Sequence, residues 1–385
     1  MPIENQAQRT RTREDVDTRE CECCGDNHTV SNFSTMHNVC EPCVEDSYST
    51  CQGCNDQVHD DYIYWAHDNV YCEHCFYDYF TYCDSCGEAT DREETIYVDD
   101  YPYCECCVPD SSENLVELIE NSTPPSNSIK CSTFNYKVKR LVGIEAECVY
   151  EYSDEFWTPT NWNNVSDGSI STDIEGYSTT ELVSVPMSGD FIVDAVDNLM
   201  DWKKIFNADV NRSCGLHIHI DSTDMSAKEV ARVGMVYSYF QEILKSMMPK
   251  SRQGSNWCKD FNMMFDDLVG IDLEEQLVSL YYESMDTHPS TDKYNDARYS
   301  GLNLHSRYYH GSLEFRLHSG TLNKTKILNW ISICNTIVEK GIELSKLTRE
   351  DTYKWFDVSA EHKVREVFGE KLSSYMNKRV AKFMQ

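Results

Sequence analysis

Twelve of the 19 cysteines fall into six C-x2-C pairs: Cys21/Cys24, Cys40/Cys43, Cys51/Cys54, Cys72/Cys75, Cys83/Cys86 and Cys104/Cys107. Thiolates in fours at this spacing suit a tetrahedral zinc ion, and a closed four-cysteine site keeps no open position for catalysis. A second set of reactive side chains lies in short alternating stretches. Glu145 and Glu147 alternate in LVGIEAECVY, His217, His219 and Asp221 in CGLHIHID, Asn303, His305 and Arg307 in GLNLHSR, and Glu314, Arg316 and His318 in SLEFRLHS. Along a strand, residues two apart share a face, so each stretch sets these groups opposite an apolar row such as Val142, Ile144, Ala146 and Cys148. A solvated face is the plainer reading of any one strand. Such faces usually carry Lys, Thr, Ser and Gln, however, and carboxylates this close repel unless a cation sits between them. Hard oxygens with one or two imidazoles suit Mg2+ or Mn2+, and an arginine on the same sheet suits a phosphate held bidentately. Together they describe a metal–nucleotide site.

The elements that position these groups differ between the two ends. Consecutive cysteine pairs are separated by 15, 7, 17, 7 and 17 residues, a repeat of about 30 residues three times over. CQGCNDQVHDDYIYWAHDNVYCEHC aligns without a gap over CDSCGEATDREETIYVDDYPYCECC. Each unit reads as a knuckle, a short alternating stretch, a turn and a second knuckle, the build of a small zinc ribbon or treble clef. A unit this small buries no core, so about three structural Zn2+ ions must supply folding free energy, on the order of 10 kcal/mol or more per site. Cys23, Cys106, His28, His59, His67 and His74 could substitute as ligands, and spacing leaves sequential and cross-braced pairing both open. An iron–sulfur cluster or a redox C-x2-C is the lesser alternative.

From Lys137 the pattern turns to longer strands and amphipathic helices. DGSIS, Asp167 to Ser171, reads as a turn entering a strand, and TTELVSVP sets Glu181 on a strand that stops at Pro186. Ser226-x-x-Glu229 predicts a capped helix through about Met248, and Asn323 to about Lys346 predicts another. There is no Walker loop, no G-x-G-x-x-G and no kinase-type segment, so the sheet itself must hold any phosphates.

The chain has 385 residues, 40% of them hydrophobic, with 34 Lys and Arg against 65 Asp and Glu and a net charge of −31. That balance disfavours nucleic acid and anionic membrane as partners. No apolar leader and no spanning segment are visible, so a soluble, cytoplasmic protein with reduced thiols is expected. The expected organisation is an unstructured tail over 1–19, three tandem four-cysteine modules over 20–110, a Ser/Pro/Asn-rich linker over 111–132 and a catalytic domain over 133–385. Between Glu20 and Pro109 Arg92 is the only Arg or Lys. This acidic, Tyr-rich surface suits a basic protein partner or docking onto the second domain, unless the array is a spacer.

GIEAE (143–147), DGS with the following TELVSVP (167–186), CGLHIHID (214–221), RYSGLNL (298–304) and LEFRLHSGTLN (313–323), in that order, resemble the amidoligases of the glutamine synthetase and glutamate–cysteine ligase superfamily. The resemblance implies an α+β domain with a curved antiparallel sheet and helices on one side. It implies metal ligation by Glu145, Glu147, Glu181, His217 and Glu314. Arg316 would reach the γ-phosphate of ATP and His219 would lie near the phosphates. Arg298 and Asn303 would line the nucleotide or substrate site, and Asp167 would serve one of these roles. The implied reaction is ATP- and Mg2+-dependent amide formation, in which an amine attacks an acyl phosphate, on a carboxylate and an amine substrate that the zinc modules could present as protein or peptide. Two other readings use the same residues: a metal-dependent hydrolase, and a non-enzymatic adaptor with a degenerate ligase domain. A Cys214 nucleophile is disfavoured, since a cysteine before a tight glycine is easily structural.

Overall fold

The computed structural model describes residues 17–33, 38–98, 101–108 and 111–384, and the chain divides at residues 109/110 into two compact units. In the first unit each module opens with a hairpin folded around a C-x2-C turn. Thr18–Glu20 pairs with Asn27–Thr29 around Cys21 and Cys24, Tyr48–Thr50 with Gln57–His59 around Cys51 and Cys54, and Phe80–Tyr82 with Ala89–Asp91 around Cys83 and Cys86. In modules two and three a second hairpin follows, Ile63–Ala66 with Asn69–Cys72 and Ile96–Val98 with Tyr101–Tyr103. Cys40 and Cys72 cap short helices, Glu41–Ser47 and Glu73–Tyr79. Apolar centres are small: Phe33 and Val39 in the first module, Ala66, Phe76 and Phe80 in the second. Strands of three or four residues around so few side chains bury little, and a metal held by the cysteines could crosslink them. Thr18 and Arg19 already belong to the first hairpin, so the expected tail boundary at 19 is too late; the rest of that tail, residues 1–16, lies outside the described residues.

The second unit is built on six strands, β1 Val142–Glu151, β2 Trp162–Val165, β3 Tyr177–Ser184, β4 Leu216–Asp221, β5 Leu302–Asn303 and β6 Ser312–Phe315, in the order β2-β3-β1-β4-β6-β5. Every pairing is antiparallel. The helices that bear on it are α1 Ser111–Glu120, α2 Asp190–Ile205, α3 Ala227–Ser246, α4 Glu274–Ser284, α5 His305–His310, α6 Lys324–Leu344 and α7 Ala360–Phe383. Val142, Ile144, Ala146 and Cys148 of β1, Leu216, Ile218 and Ile220 of β4, and Leu313 and Phe315 of β6 are fully buried and join one core with the helices. Tyr237 of α3, for example, sets its ring 5.9 Å from that of Phe315. The polar side chains of the same strands are thereby left on the opposite face. The expected capping box closes α3, with the Ser226 hydroxyl accepting from the Glu229 amide and the Glu229 carboxylate from the Ser226 amide. No helix among the described residues is long and apolar enough to cross a membrane.

Three expectations need correction. The stretch 111–132 is not a linker: Leu115 of α1 is fully buried in the main core, and the Ile129 amide donates to the Pro186 carbonyl at 2.8 Å. GLNLHSR is a strand only at Leu302–Asn303; from His305 it is helical, closed by Gly311 in the left-handed conformation at φ 69°. In that helix the Arg307 guanidinium is buried on Glu274 at 2.9 and 3.0 Å and on the Ser222 and Met225 carbonyls. After DGSIS the chain remains irregular to Gly176, and β3 begins at Tyr177.

Candidate active site

Strand register brings the candidate residues together. Glu147 stands opposite Glu181 across β1 and β3, Glu145 opposite His217 across β1 and β4, His219 opposite Glu314 across β4 and β6, and Glu314 opposite Asn303 across β6 and β5. Directly paired residues share a face, so all seven project from the non-core side of the sheet. Two carboxylates facing each other, as Glu147 and Glu181 do, destabilise a bare ladder. Their presence here is a cost that a bound cation would remove.

The side chains converge closely. His217 Nδ1 lies 3.0 Å from Glu145 and 3.5 Å from Glu314, and its Nε2 lies 3.6 Å from Glu147. Glu314 accepts from Arg316 at 2.5 Å and from the Asn303 amide at 2.6 Å. Glu147 accepts the Gly215 backbone N–H at 2.6 Å. His219 Nδ1 meets the Ser312 hydroxyl at 2.9 Å; its Nε2 is buried 3.2 Å from Glu145 but without hydrogen-bond alignment. A buried nitrogen left over in this way is what a metal- or phosphate-facing imidazole looks like before its ligand arrives.

The electrostatics follow from this packing. Burial opposes charge on Glu145, yet His219 and His217 hold it well below the usual carboxylate range. Glu314 is likewise buried, and Arg316 and His219 lower it. Glu181 forms no ion pair among the described residues, and burial with the charges of Glu145 and Glu147 pushes it up to about 9. His219 is buried too, but Glu145 and Glu314 raise it. Glu145, His217 and Glu314 each offer a ligand atom within 4.8 Å of the others. Oxygens with an imidazole, plus a buried carboxylate that its neighbours' negative charge pushes up, fit a divalent Mg2+ or Mn2+ ion.

Three cavities reach this cluster, one of about 250 Å³ at Glu145 and His219 and two larger ones that share residues with each other. The first of the larger two, of about 360 Å³, is lined by Glu145, Glu181, His219, Glu314, Lys293 and Tyr294. The second, of about 480 Å³, is lined by Glu147, Arg212, Cys214, Arg252, Trp257 and Tyr299. Asp167, His217, Arg298 and Arg316 line both. Arg298 is held over the rings of Tyr294 and Tyr299 at 5.1 and 4.8 Å, which fixes the plane of its guanidinium. Asp167 sits in its turn by accepting the Ser169 amide at 2.7 Å. Asn303 is nearly fully buried and serves as a brace for Glu314. Cys214 is buried, which pushes its thiol up, away from the reactive thiolate.

Of the polar residues read on strand faces, Arg307 and His318 lie away from the cluster, the former bound to Glu274 and the latter buried against Trp330. The sequence reading missed Arg212, Arg252, Lys293, Tyr294 and Trp257. Arg252 sits on the single helical turn Lys250–Gln253, Trp257 on the short turn Asn256–Cys258, and Arg212, Lys293 and Tyr294 lie outside helix and strand, so no periodicity marks their side chains' direction.

The three cysteine groups are Cys21, Cys24, Cys40 and Cys43; Cys51, Cys54, Cys72 and Cys75; and Cys83, Cys86, Cys104 and Cys107. Pairing is therefore sequential within each module. Sulfurs approach at 4.0 Å for Cys24–Cys40, 4.0 Å for Cys54–Cys72 and 3.9 Å for Cys86–Cys104. Four thiolates about 2.3 Å from one zinc would stand about 3.8 Å apart, so the groups fit that ion. In every module burial works against the first cysteine's charge, but backbone N–H groups outweigh it and bring Cys21, Cys51 and Cys83 down to about 6.

Fold and site define a two-part protein, an array of cysteine modules that could bind zinc and an antiparallel sheet bearing a buried carboxylate–imidazole–guanidinium cluster. The family model described as "Putative amidoligase enzyme" matches residues 115–338, more than half of the chain, and the chain belongs to that family. Among solved structures, a bifunctional glutathione synthetase from Pasteurella multocida aligns with 64% of this chain at 13% identity and a TM-score of 0.29. The alignment spans 47% of that protein's length, about half. No match is found among curated proteins.

Proposed function

We propose that the second unit is an ATP-dependent carboxylate–amine ligase with a glutamine synthetase-like catalytic sheet. Membership of an amidoligase family supports ligase-type activity. The observation that carries the finer reading is the single sheet face on which Glu145, Glu147, Glu181, His217, His219 and Glu314 converge beside Arg316, at the junction of two cavities.

In this reading Glu145, Glu181, His217 and Glu314 hold Mg2+ or Mn2+, with Glu147 on the side of the second cavity. The cation would neutralise phosphate charge during transfer. Arg316, Arg298 and His219 bind and orient the phosphates, and Asn303 keeps Glu314 aimed. The second cavity, with Arg212 and Arg252 at its wall, suits an anionic carboxylate substrate, and Glu147 and Asp167 suit the incoming ammonium. The carboxylate takes the γ-phosphoryl group of ATP as ADP leaves. The amine, once its ammonium has given a proton to Glu147 or Asp167, attacks the acyl phosphate and expels inorganic phosphate. These steps need positioning and charge neutralisation. They need no protein nucleophile, which agrees with the buried, protonated Cys214. The cysteine modules, loaded with zinc, would present a protein or peptide substrate.

Mg·ATP should raise the thermal midpoint of the full-length protein, and Arg316→Ala should abolish that rise while keeping its far-UV CD spectrum. A wild-type protein with confirmed fold and zinc content that gains nothing from Mg·ATP would overturn the reading.

A further inference from the structure

The tandem modules repeat one outward feature that a zinc staple does not require. Trp65 and Tyr97 occupy the same position of the second hairpin in modules two and three, Trp65 opposite Val70 and Tyr97 opposite Pro102. The next residue in each strand, Ala66 or Val98, is buried, whereas Trp65 is 59% and Tyr97 49% exposed. Tyr62, in the turn just before the first of these hairpins, and Tyr101, in the second, are exposed as well. An aromatic ring presented to water at the equivalent place in two successive repeats gives both modules the same exposed feature.

Charge selects the occupant. From Glu20 to Pro109 there are 20 acidic residues against Arg92 alone, and each four-thiolate zinc site would add negative charge. Nucleic acid and anionic membrane are repelled. Residues 110–385 carry 41 acidic against 29 basic residues, so the second unit is net acidic as well and is not the complement of the array by overall charge. A cationic partner is attracted, and aromatic faces flanked by carboxylates take guanidinium and ammonium groups directly. Asp60, Asp61 and Asp68 lie within five residues of Trp65, and Glu93 and Glu94 within four of Tyr97.

We propose that the exposed hairpin faces of the cysteine array bind a Lys/Arg-rich protein segment, with Trp65 and Tyr97 each receiving one cationic side chain on its ring. Each ring takes its cation separately, and their equivalent hairpin positions give the two modules the same contact. The proposal stands whether or not the second unit is a ligase.

Fluorescein-labelled peptides of eight arginines and eight lysines, titrated into the full-length zinc-loaded protein and followed by anisotropy, test it. Saturable binding that weakens with salt is expected for at least one cationic peptide, and none for eight glutamates. The double substitution Trp65→Ala with Tyr97→Ala should weaken binding about ten-fold at fixed salt, the sum of two exposed cation–π contacts. Zinc content should be unchanged in that variant, and Tyr152→Ala, an exposed tyrosine of the other unit, should bind as wild type. Unchanged affinity in the double variant would show that acidity alone attracts the peptide and overturns the proposal. Absence of saturable binding to either cationic peptide overturns it as well.

Discussion

Identical residue types do different work here because their surroundings differ. His217 touches three carboxylates, whereas His318, four residues beyond Glu314, is buried against Trp330 and donates only to the Ser319 carbonyl. Burial, with Arg379, Lys326 and Arg252 adding positive charge nearby, brings His318 down to about 3. A histidine near its ordinary value of about 6.5 when unfolded then takes up a proton that the native state refuses. Its stabilising contribution is complete above pH 6.5 and is lost as pH falls towards 3, at up to about 1.4 kcal/mol per unit. Urea titrations of wild type and His318→Asn at pH 7 and pH 5 should show the wild type losing more stability on acidification, by about 2 kcal/mol. Equal losses would show that this imidazole does not govern the acid limb.

At the scale of elements, the sheet keeps its register because the helices clamp its apolar face, and the clamp depends on one close approach. A Cβ at Gly341 of α6 would stand 2.6 Å from the Val233 nitrogen and 2.7 Å from its Cα, both backbone atoms of α3. Alanine is the better helix former by about 1 kcal/mol. Backbone cannot swing aside as a side chain can, so the overpacking cost of about 1–3 kcal/mol decides the sign. Gly341→Ala should therefore lower the melting temperature of the second unit by about 2–4 °C in calorimetry. A rise would mean that α3 and α6 are not packed so tightly. Helix α5 is held by the opposite device, a charge: Arg307 crosslinks it to Glu274 and to the loop after β4, which is why an alternating sequence there becomes a helix.

At the scale of the molecule, the two units draw stability from different sources. The second has a continuous core of buried Leu, Ile, Val and aromatic side chains; the first has scattered small clusters and fourteen thiols, twelve of them in three groups of four. Zinc analysis should find three ions per chain. Removing them with a strong chelator should eliminate one calorimetric transition and leave the melting of the second unit in place, since a structural zinc supplies on the order of 10 kcal/mol to a module that has little else. Loss of both transitions together would show that the larger unit depends on the array.

Much of the candidate site was legible in the chain because alternation and spacing act locally. Strand faces at Glu145/Glu147, His217/His219 and Glu314, the capped helix after Ser226 and the six cysteine pairs all follow from periods of two, 3.6 or fixed turn lengths. What alternation cannot say is which strands are neighbours. Only the tertiary order β2-β3-β1-β4-β6-β5 sets Glu181 opposite Glu147 and Glu314 between His219 and Asn303, turning separate pairs into one cluster. The same holds for the sequential cysteine pairing, for α1 as part of the larger core, and for Arg252 and Arg212 at a cavity wall. Each depends on contacts between residues far apart in the chain, where packing energy overrides local preference.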